Sequence, residues 1–337
     1  MKTYNEILSD VTKTATKIPQ SDYLDAGKYR IFDQGKEYSI GFSNDEQGVV
    51  TDYPYIIFGD HTRVVKYVDE PCYIGADGVK LLKVINKDFD PRYVYYNILA
   101  KPIESQGYAR HFKFLKEIQF TEKSFSEQQK IATELDSIQS AIDNKKQQLF
   151  LLDEAVKSEF VEMFGDKKFP TQKWDGVFIT KTGKLDSNAM VEGGKYPFFT
   201  CAKEIFSIDN YAFDQEALLL AGNNAAGKYD VKYYKGKFNA YQRTYVLSLK
   251  EDWSYRLFQF QLEDKLLYLK EQSKGINTKF LTLKILQELE FIIPPKELQL
   301  KFETFVQQID KSKSLVKQQI ADLQELLDSK MQEYFGE

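Results

Sequence analysis

The chain has 337 residues, 42% of them hydrophobic, so its length and composition predict about two domains with packed cores. The 46 basic and 50 acidic residues give a net charge of −4, which argues against a nucleic-acid partner unless positive charge is concentrated on one face. Cys72 and Cys201 are single residues, one in each half, without a CxxC motif or a histidine at ligand spacing, which argues against a disulfide framework and a zinc site. Because no apolar run has the length of a signal peptide or a membrane span, we expect a soluble, cytoplasmic protein.

Short apolar runs bounded by glycine, aspartate and asparagine occur in both halves of the chain and are typical of half-buried strands. They lie at residues 55–58, 64–68 and 81–85 of the first half and at residues 217–220 and 245–249 of the second. Helical stretches are predicted after each set, near residues 93–99 and 255–269. We therefore expect an α+β protein with two strand-rich globular parts.

A long helix is predicted after each globular part, from Ser126 to Gly165 and from Pro295 to Gly336. The apolar residues of both segments alternate at spacings of four and three, which is the heptad pattern of a coiled-coil seam. These positions are Ile131, Leu135, Ile138, Ile142, Leu149, Leu152 and Val156, and then Phe302, Val306, Ile309, Val316, Ile320, Leu323, Leu327 and Tyr334. Lys145 and Lys313 interrupt the two seams. Two helices of about 38 residues, each about 55 Å long, are expected to pack on each other.

An internal repeat relates the two halves. Residues 115–166 align without a gap with residues 286–337, with sixteen identities at 52 positions. Gln128, for example, recurs as Gln299, and Phe164 recurs as Phe335. A repeat of this length predicts a tandem of two units, each with a globular part followed by a helical part.

Two stretches that differ between the halves concentrate positive charge. Residues 107–116 contain three basic residues and one histidine without an acid, and residues 222–245 contain five basic residues against Asp230 alone. Basic, amide and aromatic groups together are suited to phosphate positioning and base-edge recognition. An ordinary solvated face of strands is the alternative interpretation, and the composition of these stretches leaves both open.

Two catalytic interpretations have little support. Residues 222–228 match a phosphate-binding P-loop, but Tyr229 stands where a magnesium-binding serine or threonine is needed, and residues 230–238 are predicted to form strand and turn rather than a helix. His61 and His111, the only histidines, lie among basic residues rather than beside a serine or cysteine nucleophile. The sequence therefore predicts no enzyme acting on its own.

Several segments resemble the DNA specificity subunit of type I restriction–modification systems. One common type of target recognition domain is similar to residues 58–63, 75–78 and 107–113, and another type to residues 196–199, 221–223 and 293–295. The repeated helices resemble the central and distal conserved regions of that family. A departure occurs at residues 120–125, which lack the Ile-Pro and further prolines that the family often has at the start of the first helix.

This resemblance implies a domain order and a division of labour. The order is target recognition domain 1 at residues 1–125, a central conserved helix at 126–166, target recognition domain 2 at 167–295 and a distal conserved helix at 296–337. The two helices are expected to form an antiparallel coiled coil with pseudo-two-fold symmetry. Each recognition domain would read one half of a bipartite asymmetric DNA site, and the helix pair would set the spacer.

The resemblance also implies partners and a non-catalytic role. Two methyltransferase subunits would use S-adenosylmethionine to methylate adenine, and restriction subunits that translocate DNA would use ATP and magnesium. No cofactor is expected to bind to this chain itself. Two other hypotheses are a coiled-coil scaffold for protein interaction and a nucleotide hydrolase that uses residues 222–228.

Position-wise comparison with the family gives candidate site residues. The expected DNA-binding residues are His61, Arg63, Arg110, His111 and Lys113 in the first domain, and Asn223, Asn224, Lys228, Gln242, Arg243 and Lys279 in the second. Asp60 and Asp77 are expected to orient strand turns, or a neighbouring arginine, rather than to contact DNA. The candidate partner-binding residues are Phe150, Phe160, Met163, Phe164, Phe305 and Phe335. For these apolar residues, docking of methyltransferase subunits and packing against the recognition domains both remain open.

Overall fold

A computed structural model describes residues 1–75, 78–107, 109–165, 168–224, 227–275 and 278–336. The chain divides into two compact units: residues 1–147 with 316–337, and residues 148–315. Each unit contains a globular part, the first portion of one long helix and the last portion of the other. The predicted mixture of helices and sheets is confirmed. The predicted boundary between residues 166 and 167 lies outside the described residues.

The first unit places its globular part before the long helix α4. Its strands are β1 (Lys2–Thr3), β2 (Leu8–Asp10), β3 (Tyr29–Phe32), β4 (Gly41–Ser43), β5 (Tyr55–Gly59), β6 (Val65–Val68), β7 (Cys72–Ile74), β8 (Val79–Val84) and β9 (Gln119–Phe120). Its helices are α1 (Tyr4–Ile7), α2 (Pro91–Leu99), α3 (Phe112–Leu115) and α4 (Phe125–Phe160), with 3₁₀ turns at Thr12–Thr14 and Gln20–Asp22 and a π-helical turn at Val161–Gly165. The strands form sheets of order β2-β8-β5-β6, β4-β3-β7 and β1-β9.

The second unit has the same plan. Its strands are β10 (Thr171–Lys173), β11 (Phe178–Thr182), β12 (Tyr196–Phe199), β13 (Phe206–Ile208), β14 (Phe213–Ala221), β15 (Asn223–Asn224), β16 (Val231–Ala240), β17 (Thr244–Leu249), β18 (Lys279–Phe280) and β19 (Glu290–Ile292). Its helices are α5 (Trp174–Val177), α6 (Tyr255–Asp264), α7 (Leu266–Gln272), α8 (Leu283–Gln287) and α9 (Lys296–Phe335), with a 3₁₀ turn at Ser187–Ala189. The main sheet has the order β11-β17-β14-β16-β12-β13, and β10 and β15 pair with β19 and β18.

The two globular parts share a strand topology although their sequences differ. In the first unit β3 pairs in parallel with β7, and in the second β12 pairs in parallel with the end of β16. The ten-residue strand β16 therefore corresponds to β6 and β7 together, and its continuity joins β12 and β13 to the main sheet. The helices that follow the central strands, α2 and α6, bury their apolar faces against the sheets because that removes the largest apolar area from water.

The long helices begin at side-chain caps. Ser124 and Glu127 form a capping box in which the Ser124 backbone N–H donates to the Glu127 carboxylate at 3.0 Å and the Glu127 N–H donates to the Ser124 hydroxyl at 3.3 Å. Helix α4 therefore begins at Phe125, one residue before the predicted Ser126. Helix α9 begins at Lys296, one residue after the predicted Pro295, whose carbonyl accepts from the N–H of Leu298 at 3.0 Å.

The recurring glutamines lie buried at the start of the long helices. The side-chain oxygen of Gln128 accepts from the Asp90 N–H, the residue that caps α2, at 2.9 Å. The side-chain oxygen of Gln299 accepts from the N–H of Ser254, the residue that caps α6, at 3.0 Å. Each glutamine amide also donates to backbone carbonyls near its own helix start. The repeat in the sequence thus corresponds to the same hydrogen-bonded glutamine arrangement at the start of both long helices.

The two long helices contact each other within each unit. In the second unit Lys313 lies 2.5 Å from Asp153, and the Phe160 and Phe302 rings have centroids 5.8 Å apart. The residue numbers in these contacts rise along α4, from 153 to 160, while those on α9 fall, from 313 to 302, so the helices run antiparallel there. In the first unit the Tyr334 hydroxyl donates to Glu134 at 2.6 Å. All the predicted seam residues are buried or half-buried. Supercoiling of the pair stays a prediction.

Within the described ranges, none of the helices combines the length and the low charge content that crossing a bilayer would require.

Candidate functional site

Buried Asp60 connects the segments that carry the candidates of the first face. Its N–H donates to the Gly78 carbonyl at 2.7 Å, and its carboxylate accepts from the N–H of Phe112 at 2.8 Å. The Asp60 carbonyl accepts from the His111 N–H at 2.8 Å. Asp60 therefore joins the turn after β5 to the start of α3, in agreement with the expectation that it orients a turn. Asp77, which was given the same role, lies outside the described residues.

His111 is fully buried, and both of its ring nitrogens contact backbone atoms. The Gln106 N–H donates to Nε2 at 3.1 Å, so Nδ1 carries the proton and donates to the Asp60 carbonyl at 3.1 Å. This arrangement favours a structural role for His111, and it does not present the ring to a ligand. Sequence reasoning missed this role because burial of a single histidine depends on contacts between distant segments.

The other candidates of the first face differ in accessibility. Arg110 and Lys113 are exposed, and the Lys113 ammonium lies 4.7 Å from the centroid of the Phe114 ring. Arg63 is half-buried, and its Nη1 donates to the Ile103 carbonyl at 3.1 Å. This hydrogen bond connects the loop that contains Ile103 to the turn after β5. His61 is half-buried. Arg110 and Lys113 are therefore the candidates best placed to reach a phosphate or a base.

Gly222 brings three segments of the second unit together. Its N–H donates to the Arg243 carbonyl at 2.9 Å, and its carbonyl accepts from the Leu281 N–H at 2.8 Å. Directly after it, β15 pairs with β18, with Asn223 opposite Phe280. A Cβ at position 222 would lie 2.3 Å from the Arg243 carbonyl oxygen, so only glycine permits this approach.

All six candidates of the second face lie on these three segments: Asn223, Asn224, Lys228, Gln242, Arg243 and Lys279. The Asn224 side-chain oxygen accepts from the Lys228 N–H at 3.1 Å, while Gln242, Arg243 and the Lys228 side chain are exposed. A small cavity of about 130 Å³ is lined by Gly222, Gln242, Arg243 and Phe280, among others. The structure therefore assembles residues from distant positions of the sequence at one edge of the second unit.

The groups of this second face match the chemistry of DNA recognition. Asparagine and glutamine amides can pair with adenine edges, arginine can pair with guanine, and lysine neutralises phosphate. Asp230, the one acid of this stretch, forms an ion pair with Lys232, so it does not cancel the charge of Lys228, Arg243 or Lys279.

A nucleotide site at residues 222–228 is not supported by the fold. The segment is followed by strand β16 rather than by a helix whose N-terminus would face phosphates. This agrees with the strand predicted at residues 230–238. Ala225 and Ala226, which belong to this stretch, lie outside the described residues.

Most of the predicted partner-binding residues pack inside their own unit. Met163 and Phe164 are buried in a cluster with Phe302, and Phe160 and Phe305 pack against it. Phe335 is buried with its ring centroid 5.1 Å from that of Tyr93. For these five residues the packing alternative describes the structure. Phe150 is 56% exposed and remains available for a partner.

Comparisons with known proteins define the class. Residues 167–325 match the family described as Type I restriction modification DNA specificity domain. The chain is 38% identical over 144 residues, 41% of its length, to the type I restriction enzyme EcoDI specificity subunit of Escherichia coli, and the match spans 31% of that relative. The fold is similar to the crystal structure of a type I restriction–modification S subunit from M. genitalium, with a TM-score of 0.66, 17% identity, and coverage of 98% of this chain and 94% of that one.

Residues 167–325 thus match a DNA specificity domain, in agreement with the resemblance seen in the sequence. The chain is similar to specificity subunits of type I restriction–modification systems in part of its sequence and in its overall fold.

Proposed function

We propose that this chain selects the DNA site of a type I restriction–modification complex, with one half of a bipartite asymmetric site read by each globular part. The pair of long helices would fix the spacer between the halves and dock methyltransferase subunits. The observation that carries this proposal is the assembly of amide and basic groups at one edge of the second unit, held there by Gly222.

The two faces differ in a way that suits two different half-sites. The second face offers the amides of Asn223 and Gln242 together with Arg243. The first offers Arg110 and Lys113 as its exposed basic groups, next to a loop that His111 and Arg63 hold in place. Because base edges are distinguished by their donor and acceptor pattern, two faces with different groups can read different sequences.

Catalysis is assigned to partner subunits. Two methyltransferase subunits would bind S-adenosylmethionine and methylate adenine, and restriction subunits would use ATP and magnesium for translocation and cleavage. Phe150 is a candidate docking residue, and its neighbour Leu151 and Leu315 on α9 are also exposed in the same unit, at 57% and 68%. Exposed apolar side chains of this size are common at protein interfaces. A complex that modifies chromosomal DNA would work in the cytoplasm.

The proposal is tested by co-expressing the chain with the adenine methyltransferase subunits of its own system and mapping methylated adenines by single-molecule sequencing. We expect one recurring motif of two defined half-sequences separated by a gap of constant length. Methylation without a recurring motif, or a motif with a single uninterrupted half, would contradict the proposal.

A protein-interaction scaffold is the alternative, since long helices with exposed Phe150 and Leu315 also suit that role. The same experiment separates the two hypotheses. A scaffold predicts that the methylated sequence is set by the methyltransferase alone and does not change when the specificity chain is replaced by an Arg110→Ala or Arg243→Ala variant.

A further inference from the structure

An arginine joins the sheet, the globular helix and the long helix in each unit. In the first unit the Arg92 guanidinium lies 4.1 Å from the centroid of the Tyr67 ring on β6, and its Nε lies 2.8 Å from the carboxylate of Asp136 on α4. Tyr96, one turn further along α2, donates to the same carboxylate at 2.6 Å. We call Tyr67, Arg92 and Asp136 the first arginine junction.

The second unit contains the same arrangement. The Arg256 guanidinium lies 4.2 Å from the centroid of the Tyr233 ring on β16, and its Nη2 lies 2.8 Å from the carboxylate of Asp310 on α9. We call Tyr233, Arg256 and Asp310 the second arginine junction. Both arginines lie in the first turn of the helix that covers the sheet. Cation–π and ion-pair contacts at a half-buried guanidinium restrict its position in two directions at once.

The acids of the two junctions are not equivalent in the internal repeat. In the alignment of the two copies, Asp136 lies opposite Gln307, and Asp310 lies opposite Gln139. The aspartate of the second copy is therefore shifted by three residues, about one helical turn, relative to the aspartate of the first. Each long helix nevertheless meets the arginine of its own unit. The arginine–aspartate contact therefore does not follow from the duplicated helix sequence alone. Its position along the long helix differs between the two units.

Together with the buried glutamine, each junction gives the long helix a second point of attachment. On α4 the attached residues are Gln128 and Asp136, about 12 Å apart at 1.5 Å per residue, and on α9 they are Gln299 and Asp310, about 16 Å apart. Two separated points fix a direction, whereas a single point permits tilting. Helix α4 has 36 residues and a length of about 54 Å, so a tilt of about 4° moves its far end by about 3.4 Å, the rise of one base pair.

We propose that Arg92 and Arg256 are positioning residues that fix the angle between each recognition domain and its long helix, and thereby set the selectivity for spacer length. This inference rests on the proposed function, because spacer length has meaning only for a bipartite site. The arginines act through Asp136 and Asp310 and are not assigned any contact with DNA.

The test compares methylation rates on three DNA substrates whose half-sites are separated by the preferred spacer and by one base pair fewer or more. Arg92→Met and Arg256→Met remove the charge and keep an apolar side chain on the tyrosine. Asp136→Asn is a second variant, which leaves the arginine in place. We expect each to retain both half-sequences and to lower the rate ratio between the preferred and altered spacers by about five- to tenfold, the scale of losing an ion pair and a cation–π contact.

Two further variants separate positioning from folding. Arg30→Met removes an arginine that pairs with Glu70 at 2.7 Å and lies 5.9 Å from the Tyr38 and Phe42 rings, and all three of these partners belong to the globular part. We expect this variant to keep the wild-type spacer ratio. Arg92→Lys keeps the charge but loses the planar group, so it is expected to restore part of the ratio that Arg92→Met loses.

A purely structural role would lower the rates on all three substrates by one common factor and leave their ratio unchanged. An unchanged ratio in Arg92→Met, Arg256→Met and Asp136→Asn would therefore overturn the inference. A wild-type complex that methylates a bipartite site with no preferred spacer would overturn it as well. A wild-type complex with no bipartite site at all would instead overturn the proposed function and the inference together.

Discussion

Replacing Gln299 by leucine should destabilise the second unit. The Gln299 side chain is 1% exposed; it accepts from the Ser254 N–H at 3.0 Å and donates to the Pro294 carbonyl at 2.8 Å. Leucine has a similar volume but no hydrogen-bonding group, so two buried backbone groups would lose their partners. At about 1–3 kcal/mol for each unsatisfied group, we expect a loss of about 3 kcal/mol in the free energy of unfolding.

Tryptophan fluorescence reports this loss specifically. The chain has two tryptophans, Trp174 and Trp253, and both lie in the second unit. Thermal unfolding followed by tryptophan emission should shift down by about 6–12 °C in Gln299→Leu, at about 2–4 °C per kcal/mol for a unit of this size. Gln308→Leu is the matched control, because Gln308 is exposed on the same helix and should change stability by less than about 0.5 kcal/mol. Equal midpoints for Gln299→Leu and Gln308→Leu would refute the reasoning.

Two other variants probe the candidate face and a helix cap. Gly222→Ala should place a Cβ 2.3 Å from the Arg243 carbonyl oxygen and separate the segments of the second face, so methylation should lose selectivity for one half-site only; unchanged selectivity in both halves would contradict the assigned face. Hydrogen bonds from the Thr3 backbone and hydroxyl lower the pKa of Glu6 from 4.5 to about 2, so its contribution to stability is present above pH 4.5 and is lost as the pH falls towards 2. The melting temperatures of wild type and Glu6→Gln should therefore differ at pH 6 and converge near pH 2, and a difference that is the same at both pH values would count against this capping interaction.

The duplicated helices could be predicted from sequence because their signals are local and periodic. Every seam residue that the 4/3 spacing predicted is buried or half-buried, and the offset of 171 residues identified Gln128 and Gln299 as equivalent. The predicted start of α4, Ser126, differs from the observed start by one residue. The helix start is set by the capping box of Ser124 and Glu127, and this segment lacks the prolines that the family often has there.

The candidate faces were harder to predict because they depend on contacts between distant segments. Asn223, Arg243 and Lys279 could be chosen by position-wise comparison with the family, but their proximity comes from Gly222 and from the pairing of β15 with β18. His111 was chosen by position-wise comparison with the family, whereas the fold buries it completely. Arg92 and Arg256 carry no sequence signal at all, because each is defined by a tyrosine and an aspartate from other elements.

The central claim, one recognition domain for each half-site, is tested most directly by randomising each half of the mapped methylation site in turn. We expect Arg110→Ala to relax selectivity in one half and Arg243→Ala to relax it in the other, while both complexes still assemble with the methyltransferase subunits. A lost base contact is worth about 1–3 kcal/mol, so selectivity in the affected half should fall about five- to 150-fold. Wild-type selectivity in both halves for both variants would contradict the account.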